Sequence, residues 1–196
     1  MKFFKLFILI LISSQIHAQQ LPGKWLMYTP GDTYMIPAVP IFEFQNDSIT
    51  TYNFDEIYSQ APYRVENDIL YTSNNRMGRI RFITENELVC SPEKGGDFHW
   101  TRIRPTETNL SEEALAELQF TLKPSDSEKE ILVDLGEQNS EDDGFRLERI
   151  GDSYFLSFYE RKKRSKVLFI QKVTDSEIVL AGYPGQPEMT AQLITE

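Results

Sequence analysis

The sequence predicts an all-β protein with a small antiparallel barrel, a short linking helix and a second antiparallel β module. Three observations support this fold class. Turn residues recur about every 8–12 positions, the spacing typical of antiparallel sandwiches and barrels. Side chains alternate with strand period in runs such as 79–84 (RIRFIT), where Ile80 and Phe82 share a face. One polar, helix-favouring segment, 105–119, separates the two halves; the competing arrangement is one larger barrel or sandwich built from both.

Residues 1–18 have the three zones of a secretory signal peptide. Lys2 and Lys5 give a positive start, the run 6–12 (LFILILI) is apolar, and a more polar stretch ends in Ala18. The apolar run is shorter than the ~20 residues that a membrane-spanning helix needs. We therefore expect cleavage after about Ala18 and export to the periplasm or the extracellular space, with no transmembrane segment.

Residues 19–104 are predicted to form the first module, a barrel of short strands. The tight-turn sequence at 66–68 (END) joins two of them. In chain order the predicted strands cover 24–28, 39–44, 48–54, 63–65, 69–71, 79–84, 87–90 and 98–104.

Residues 105–119 are predicted to form a linker with a short helix over 111–119. Ser111 can cap that helix, and Glu112 and Glu113 suit its positive end. The second module, residues 120–196, returns to β patterning. Its predicted strands cover 130–135, 145–150, 154–160, 166–173, 177–183 and 190–194.

Composition and charge exclude some function classes. The 196-residue chain has 30 acidic and 20 basic residues and a formal net charge of −10, so nucleic acid is not an expected partner. Its one cysteine, Cys90, excludes an internal disulfide. Stability must then come from burying the hydrophobic residues, which are 40% of the chain.

The run 21–25 (LPGKW) contains a G-x-W signature, and the strand order up to 98–104 continues from it. On these residues, 21–104 resembles the small lipocalin-like domains of secreted bacterial proteins. The resemblance implies that Trp25 of the first strand packs near the closed end of the barrel, covered by Arg102 of the last strand. A guanidinium stacks favourably on an indole. The resemblance also implies a ligand-binding barrel, although short strands can close a barrel that side chains fill.

Catalytic chemistry is weakly indicated. A hairpin centred near 94–95 would place Cys90 opposite His99, and a Cys–His pair can generate a nucleophilic thiolate. The sequence signals no third orienting group and no oxyanion hole, so we expect no catalytic residues and no enzyme. Two such residues also fall short of the four ligands of a structural zinc site.

Two charged segments are predicted to be loops. The acidic stretch 137–144 (EQNSEDDG) suggests calcium, but an EF-hand alignment would need its closing Glu at Ile150. We therefore expect neither a metal nor a cofactor. The basic run 161–164 (RKKR) lies between two apolar strands, which predicts a solvated hairpin turn. The alternative interpretation is that this run contacts an anionic headgroup or an acidic partner.

The second module carries aromatic residues on paired strands. These side chains are either packed between layers or line a ligand or partner surface. They are Tyr154, Phe155, Phe158, Tyr159 and Phe169. The expected function is that of an exported, non-enzymatic binding protein, holding a small apolar ligand in the lipocalin-like barrel. The alternative is an envelope protein–protein interaction module with side-chain-filled barrels and no ligand.

Overall fold

The computed structural model describes residues 21–28, 41–53, 56–123, 129–136, 143–181 and 188–194. Of these described residues, 68% are in strands and 4% in a helix, which confirms the predicted all-β class. The predicted signal peptide at 1–18 lies outside the described residues. No helix in the described ranges is long and apolar enough to span a membrane.

The first part of the chain is a closed barrel in which the strands follow one another in sequence order. Each of these strands except the last pairs antiparallel with the next one along the chain. The strands are β1 (Gly23–Tyr28), β2 (Ile41–Gln45), β3 (Ser48–Asn53), β4 (Glu56–Glu66), β5 (Ile69–Thr72), β6 (Asn75–Thr84), β7 (Glu87–Ser91) and β8 (Phe98–Ile103).

Two barrel strands are longer than the sequence predicts. β4 begins at Glu56 instead of residue 63. The prediction missed its first residues because 56–60 is exposed throughout and lacks the alternation of a half-buried strand. β6 begins at Asn75 instead of residue 79 and passes through Gly78. A side chain at Gly78 would place its Cβ 2.6 Å from the Ser91 carbonyl oxygen, so glycine permits the close approach of these backbones.

The second part begins with a short helix, α1 (Glu112–Ala116). Ser111 caps it as predicted, since its hydroxyl accepts a hydrogen bond from the Ala114 amide at 3.3 Å. The predicted end at residue 119 is wrong. The chain turns into a strand at Gln119, and the Leu118 carbonyl accepts from the Leu135 amide at 3.0 Å, so it no longer serves a helix.

Two sheets follow the helix. The first pairs β9 (Gln119–Leu122) with β10 (Ile131–Asp134). The second contains five strands in sequence order: β11 (Gly144–Ile150), β12 (Ser153–Glu160), β13 (Lys163–Val173), β14 (Glu177–Ala181) and β15 (Met189–Gln192). Apolar residues from α1 and both sheets form one core, in which Leu115, Phe120 and Leu156 are at most 1% exposed.

The described residues divide into two compact units. The first ends at Arg102 and the second begins at Ile103. The first module was predicted from the sequence to end at residue 104, two positions later than the observed boundary.

Candidate functional site

Trp25 and Arg102, the predicted barrel-end pair, lie in contact. The Arg102 guanidinium carbon is 4.2 Å from the centroid of the Trp25 ring. The indole is fully buried, and its Nε1 donates to the Leu21 carbonyl at 2.8 Å. Arg102 also donates to the carbonyls of Pro22 at 2.7 Å and Glu85 at 3.3 Å. The guanidinium thus ties the start of β1 to the β6–β7 turn, which is a structural role.

Gly23, the glycine of the G-x-W signature, is required by this contact. Its φ is +123°, and a Cβ there would lie 2.7 Å from Arg102 Nη1. We expect Gly23→Ala to lower the free energy of unfolding by about 1–3 kcal/mol, through backbone strain and displacement of the guanidinium. Chemical unfolding followed by tryptophan fluorescence measures this loss, because both tryptophans, Trp25 and Trp100, lie in the barrel.

Gly95 provides the matched control for that substitution. Its φ is +102°, but a Cβ there meets nothing within 4 Å. Gly95→Ala therefore reports backbone strain alone, and Gly23→Ala should be the more destabilising of the two. Equal losses would show that the Arg102 contact contributes nothing.

The barrel interior is packed with side chains. Phe42 stacks on Trp100 with ring centroids 5.1 Å apart, and Phe44 lies 5.7 Å from Trp100 and 5.0 Å from Tyr63. The buried members of this core are each at most 5% exposed: Leu21, Trp25, Phe44, Ile49, Leu70, Ile80, Leu88, Cys90 and Trp100. Within the described chain, Trp100 Nε1 is buried without a hydrogen-bond partner. Short strands around large aromatic side chains build a filled barrel of this kind.

The predicted opposition of Cys90 and His99 is wrong. Cys90 pairs with Phe98, and Val89 pairs with His99. The partner of Cys90 is thus one residue earlier than predicted, and neighbouring residues of a strand point to opposite faces. Cys90 is accordingly buried in the barrel core, whereas the His99 ring lies 5.5 Å from that of Tyr28.

Cys90 is expected to be inert in the folded protein. Burial, with the nearby charge of Asp97, raises the pKa of its thiol to about 11. A rise from 9.0 to about 11 lowers the thiolate population near neutral pH roughly 100-fold. A thiol reagent at pH 8 should leave the native protein unmodified and modify one thiol per chain after denaturation. Rapid labelling of the native protein would contradict the barrel packing.

The five aromatic residues predicted as a ligand or partner surface are buried or half-buried and divide into contacts of different kinds. Phe155 is fully buried and lies 5.6 Å from Phe169 between ring centroids. Phe158 meets the ring of Phe145 at 5.1 Å, and Tyr154 packs against the main core of the second unit. Tyr159 donates a hydrogen bond to Glu148 at 2.9 Å. The structure does not bring the five together on an exposed surface.

The basic run 161–164 is only partly a turn. Arg161 and Lys162 form the two-residue connection of the hairpin. Their φ angles of 50° and 66° are both positive, which is typical of a type I′ turn. Lys163 and Arg164 already belong to β13 and pair with Glu160 and Tyr159. The prediction of a four-residue solvated turn is therefore wrong at its second half.

Arg164 forms a largely buried ion pair with Glu148. Their side chains are 10% and 15% exposed. Arg164 donates through both Nε, at 2.8 Å, and Nη2, and Tyr159 donates to the same carboxylate. The Arg146 guanidinium carbon lies 3.9 Å from the Tyr159 ring centroid. Burial and then the charge of Glu148 raise the pKa of Tyr159. The carboxylate is thus held by three donors, which suits a structural role.

The predicted acidic loop is described only at its end. Residues 137–142 lie outside the described residues, and Asp143 accepts a hydrogen bond from the Arg161 amide at 2.6 Å, which supports the β12–β13 turn. In the ranges that the structure describes, no group of three or more His, Cys, Asp or Glu side chains could hold a metal ion.

A cleft of about 570 Å³ lies between β9 and β15. The two strands meet where Phe120 bridges Leu193 and the Ile194 amide donates to the Gln119 carbonyl at 2.8 Å. Leu122 and Ala191, both buried, line the cleft. The charged residues Lys123, Glu130 and Glu188 line it as well.

The first half of β4 is an exposed strand edge. Residues 56–62 pair with β3, and pairing with β5 begins only at Tyr63. Within the described chain, residues 56–61 thus have a neighbour on one side alone; we call them the 56–61 edge. Ile57 is 65% exposed and Tyr58 is 81% exposed. This edge was not predicted from the sequence, although two adjacent apolar residues, Ile57 and Tyr58, in a non-alternating run were a visible signal.

Comparisons of the chain with models of protein families, with curated proteins and with solved structures found no match. The resemblance to lipocalin-like domains stays a prediction.

Proposed function

We propose that this chain is an exported, non-enzymatic interaction module that binds another polypeptide along the 56–61 edge. The observation that carries the proposal is the exposure of Ile57 and Tyr58 on a strand edge that has a neighbour on one side. Such an edge binds an added strand through backbone hydrogen bonds, while its side chains select the partner. Proteins usually keep large apolar side chains off exposed strand edges, so the exposure of both Ile57 and Tyr58 suits a binding role.

The filled barrel supports an interaction module over a carrier of small ligands in the barrel. Trp25, Phe44 and Trp100 occupy its core with at most 1% exposure each. A ligand of ordinary size requires a cavity of about 300–1,000 Å³. To make that volume, the barrel would have to expel large aromatic side chains from a packed core.

The edge can be tested in the full-length chain expressed in its host. A photo-crosslinking amino acid in place of Tyr58 should give a discrete crosslinked product. Ile83, 47% exposed and also in the barrel, is the matched control position. The absence of a product from position 58, or the same product from position 83, would contradict the proposal.

Export is tested by the mass of the protein recovered from the envelope and the culture medium. We expect a chain that begins at about Gln19, because the apolar run at 6–12 is long enough for a signal peptide and too short for a spanning helix. A chain that retains Lys2 and Lys5 and stays in the cytoplasm would contradict export.

A second candidate function is binding of a small apolar ligand in the β9–β15 cleft. The cleft volume of about 570 Å³ favours this candidate, as do the apolar side chains of Leu122 and Met189 in its lining. Native mass spectrometry of the mature protein, purified gently from its host, should then show a stoichiometric added mass that organic solvent extracts. A bare protein mass would count against a tightly bound ligand.

A further inference from the structure

We propose that Arg79 and Arg81 of β6 bind an extended acidic segment of a partner polypeptide on the outer side of the barrel. We call these two residues the arginine face. The inference goes beyond the proposed function, since it concerns side chains on the outer side of β6 and not the backbone of the 56–61 edge. A chain with a formal net charge of −10 thus presents a locally positive surface.

The strand period places both arginines on the outer side of the barrel. Ile80, which lies between them, is 2% exposed and belongs to the barrel core. Neighbouring residues of a strand point to opposite faces, so Arg79 and Arg81 point away from that core, and both are exposed. The β5 register agrees, because Ile69 pairs with Arg79 and precedes Leu70, which is fully buried in the core.

The arginines next to this face already have carboxylate partners. Arg64 of β4 pairs with Glu66 at 2.8 Å, and its guanidinium carbon lies 4.3 Å from the centroid of the Tyr71 ring. Arg76, near the start of β6, pairs with Glu93 at 2.5 Å. These charges are therefore balanced within the barrel.

The charges of the arginine face are not balanced in this way. Among the described residues, neither Arg79 nor Arg81 makes a hydrogen bond, an ion pair or a ring contact. The chain has 30 acidic and 20 basic residues, so its carboxylates are abundant, yet no described one meets these two guanidinium groups. Two like charges ~7 Å apart on one strand repel each other, and an anion from another molecule would relieve that repulsion.

The spacing of the two arginines suits an extended peptide. Residues two apart in a strand lie on the same side, ~7 Å apart. Carboxylates at every second residue of an extended partner have the same spacing, so two of them can meet Arg79 and Arg81 at once. A guanidinium donates two parallel hydrogen bonds to a carboxylate, which adds direction to the attraction between the charges.

The acidic character of the chain favours a narrow partner over a membrane or a nucleic acid. Both of these spread negative charge over a wide surface, and a chain of net charge −10 is repelled by such a surface. Exposed charges farther apart than the Debye length of ~8 Å are largely screened at physiological ionic strength. A peptide that lies along β6 therefore interacts mainly with the arginine face.

Fluorescence anisotropy of a labelled peptide tests the binding, with the protein as recovered from its host. The probe is a nine-residue threonine peptide that carries three glutamates, one at every second position. We expect a dissociation constant of roughly 0.1 mM at low ionic strength, because a few exposed ion pairs bind weakly. No binding up to about 1 mM protein would overturn the inference.

Paired substitutions test which arginines bind the probe. We expect Arg79→Gln with Arg81→Gln to weaken binding at least four-fold, because each exposed ion pair contributes a factor of about two to five. Arg104→Gln with Arg161→Gln is the matched control, since both residues are exposed and the net charge changes equally. The control should bind as the unaltered chain does. Equal losses in the two double variants would overturn the inference.

A second peptide of the same composition tests the spacing. Glutamate at every third position keeps the charge of the probe, but successive carboxylates of an extended chain then lie on opposite sides. We expect this peptide to bind at least two-fold more weakly than the first. Equal affinities would overturn the match between β6 and an extended partner.

Other outcomes distinguish this inference from its alternatives. Vesicles that contain phosphatidylglycerol should not bind the protein. Vesicle binding that Arg79→Gln with Arg81→Gln abolishes, without binding of the peptide, would overturn the choice of a polypeptide. A crosslinked product from position 58 without binding of the peptide would leave the proposed function standing and overturn this inference.

Discussion

Trp25→Ala is expected to lower the free energy of unfolding of the barrel by about 3–5 kcal/mol, the usual cost of truncating a buried aromatic to alanine. Three contacts disappear together. The indole is fully buried, donates to the Leu21 carbonyl and supports the Arg102 guanidinium. The Leu21 carbonyl loses its donor, and the guanidinium loses the ring on which it stacks. The fluorescence of the remaining Trp100 during urea unfolding measures the loss.

Trp25→Phe separates the contributions of packing and hydrogen bonding. Phenylalanine keeps an aromatic face under Arg102 but cannot donate to Leu21, so we expect a loss below that of the alanine variant by at least ~1 kcal/mol. A Trp25→Ala protein with an unchanged urea midpoint would show that the barrel end is not packed as described.

Glu148→Leu is expected to destabilise the second unit by about 3 kcal/mol, because it leaves the Arg164 guanidinium in a largely buried place without its carboxylate. Arg164 is 10% exposed and directs two donors at Glu148, and Tyr159 directs a third. Amide hydrogen exchange of β11–β13 measures the effect, which should appear as faster exchange across all three strands.

The double substitution Glu148→Leu with Arg164→Met provides the control. Removing both charges leaves no buried unpaired ion, and a buried ion pair is often replaced by apolar residues of similar volume at little cost. We therefore expect exchange rates closer to those of the unaltered chain than in Glu148→Leu alone. A double variant as unstable as the sum of the two single variants would show that the two side chains do not interact.

Local signals in the sequence predicted most of the barrel. Turn residues and alternation gave most strands within a few positions, since both act between neighbours in the chain. The contact of Trp25 with Arg102, which the resemblance implied, is also present. The early start of β4 escaped prediction because residues 56–60 are exposed throughout, and a strand without a buried face has no period to read.

Sites that depend on exact register could not be predicted. Shifting the β7–β8 pairing by one residue sends Cys90 and His99 to opposite faces, and the loop sequence does not reveal that shift. Glu148 meets Arg164 because β11 and β13 flank β12, which no spacing between residues 148 and 164 could show. The aromatic residues of β12 signalled burial, and the two most exposed large apolar residues of the described chain lie elsewhere, at Ile57 and Tyr58.

The Arg102 contact also sets the order of events during synthesis. Its hydrogen bond with Pro22 joins residues 80 positions apart, so the last strand of the barrel must leave the ribosome before the first is fastened. Until then β1 remains an unclosed edge on a nascent chain, exposed to premature association. Closure over such a distance is slow, because the loop entropy is lost before the contact is made. A chain that ends before Arg102 would therefore be a better substrate for chaperones and proteases than one a few residues longer.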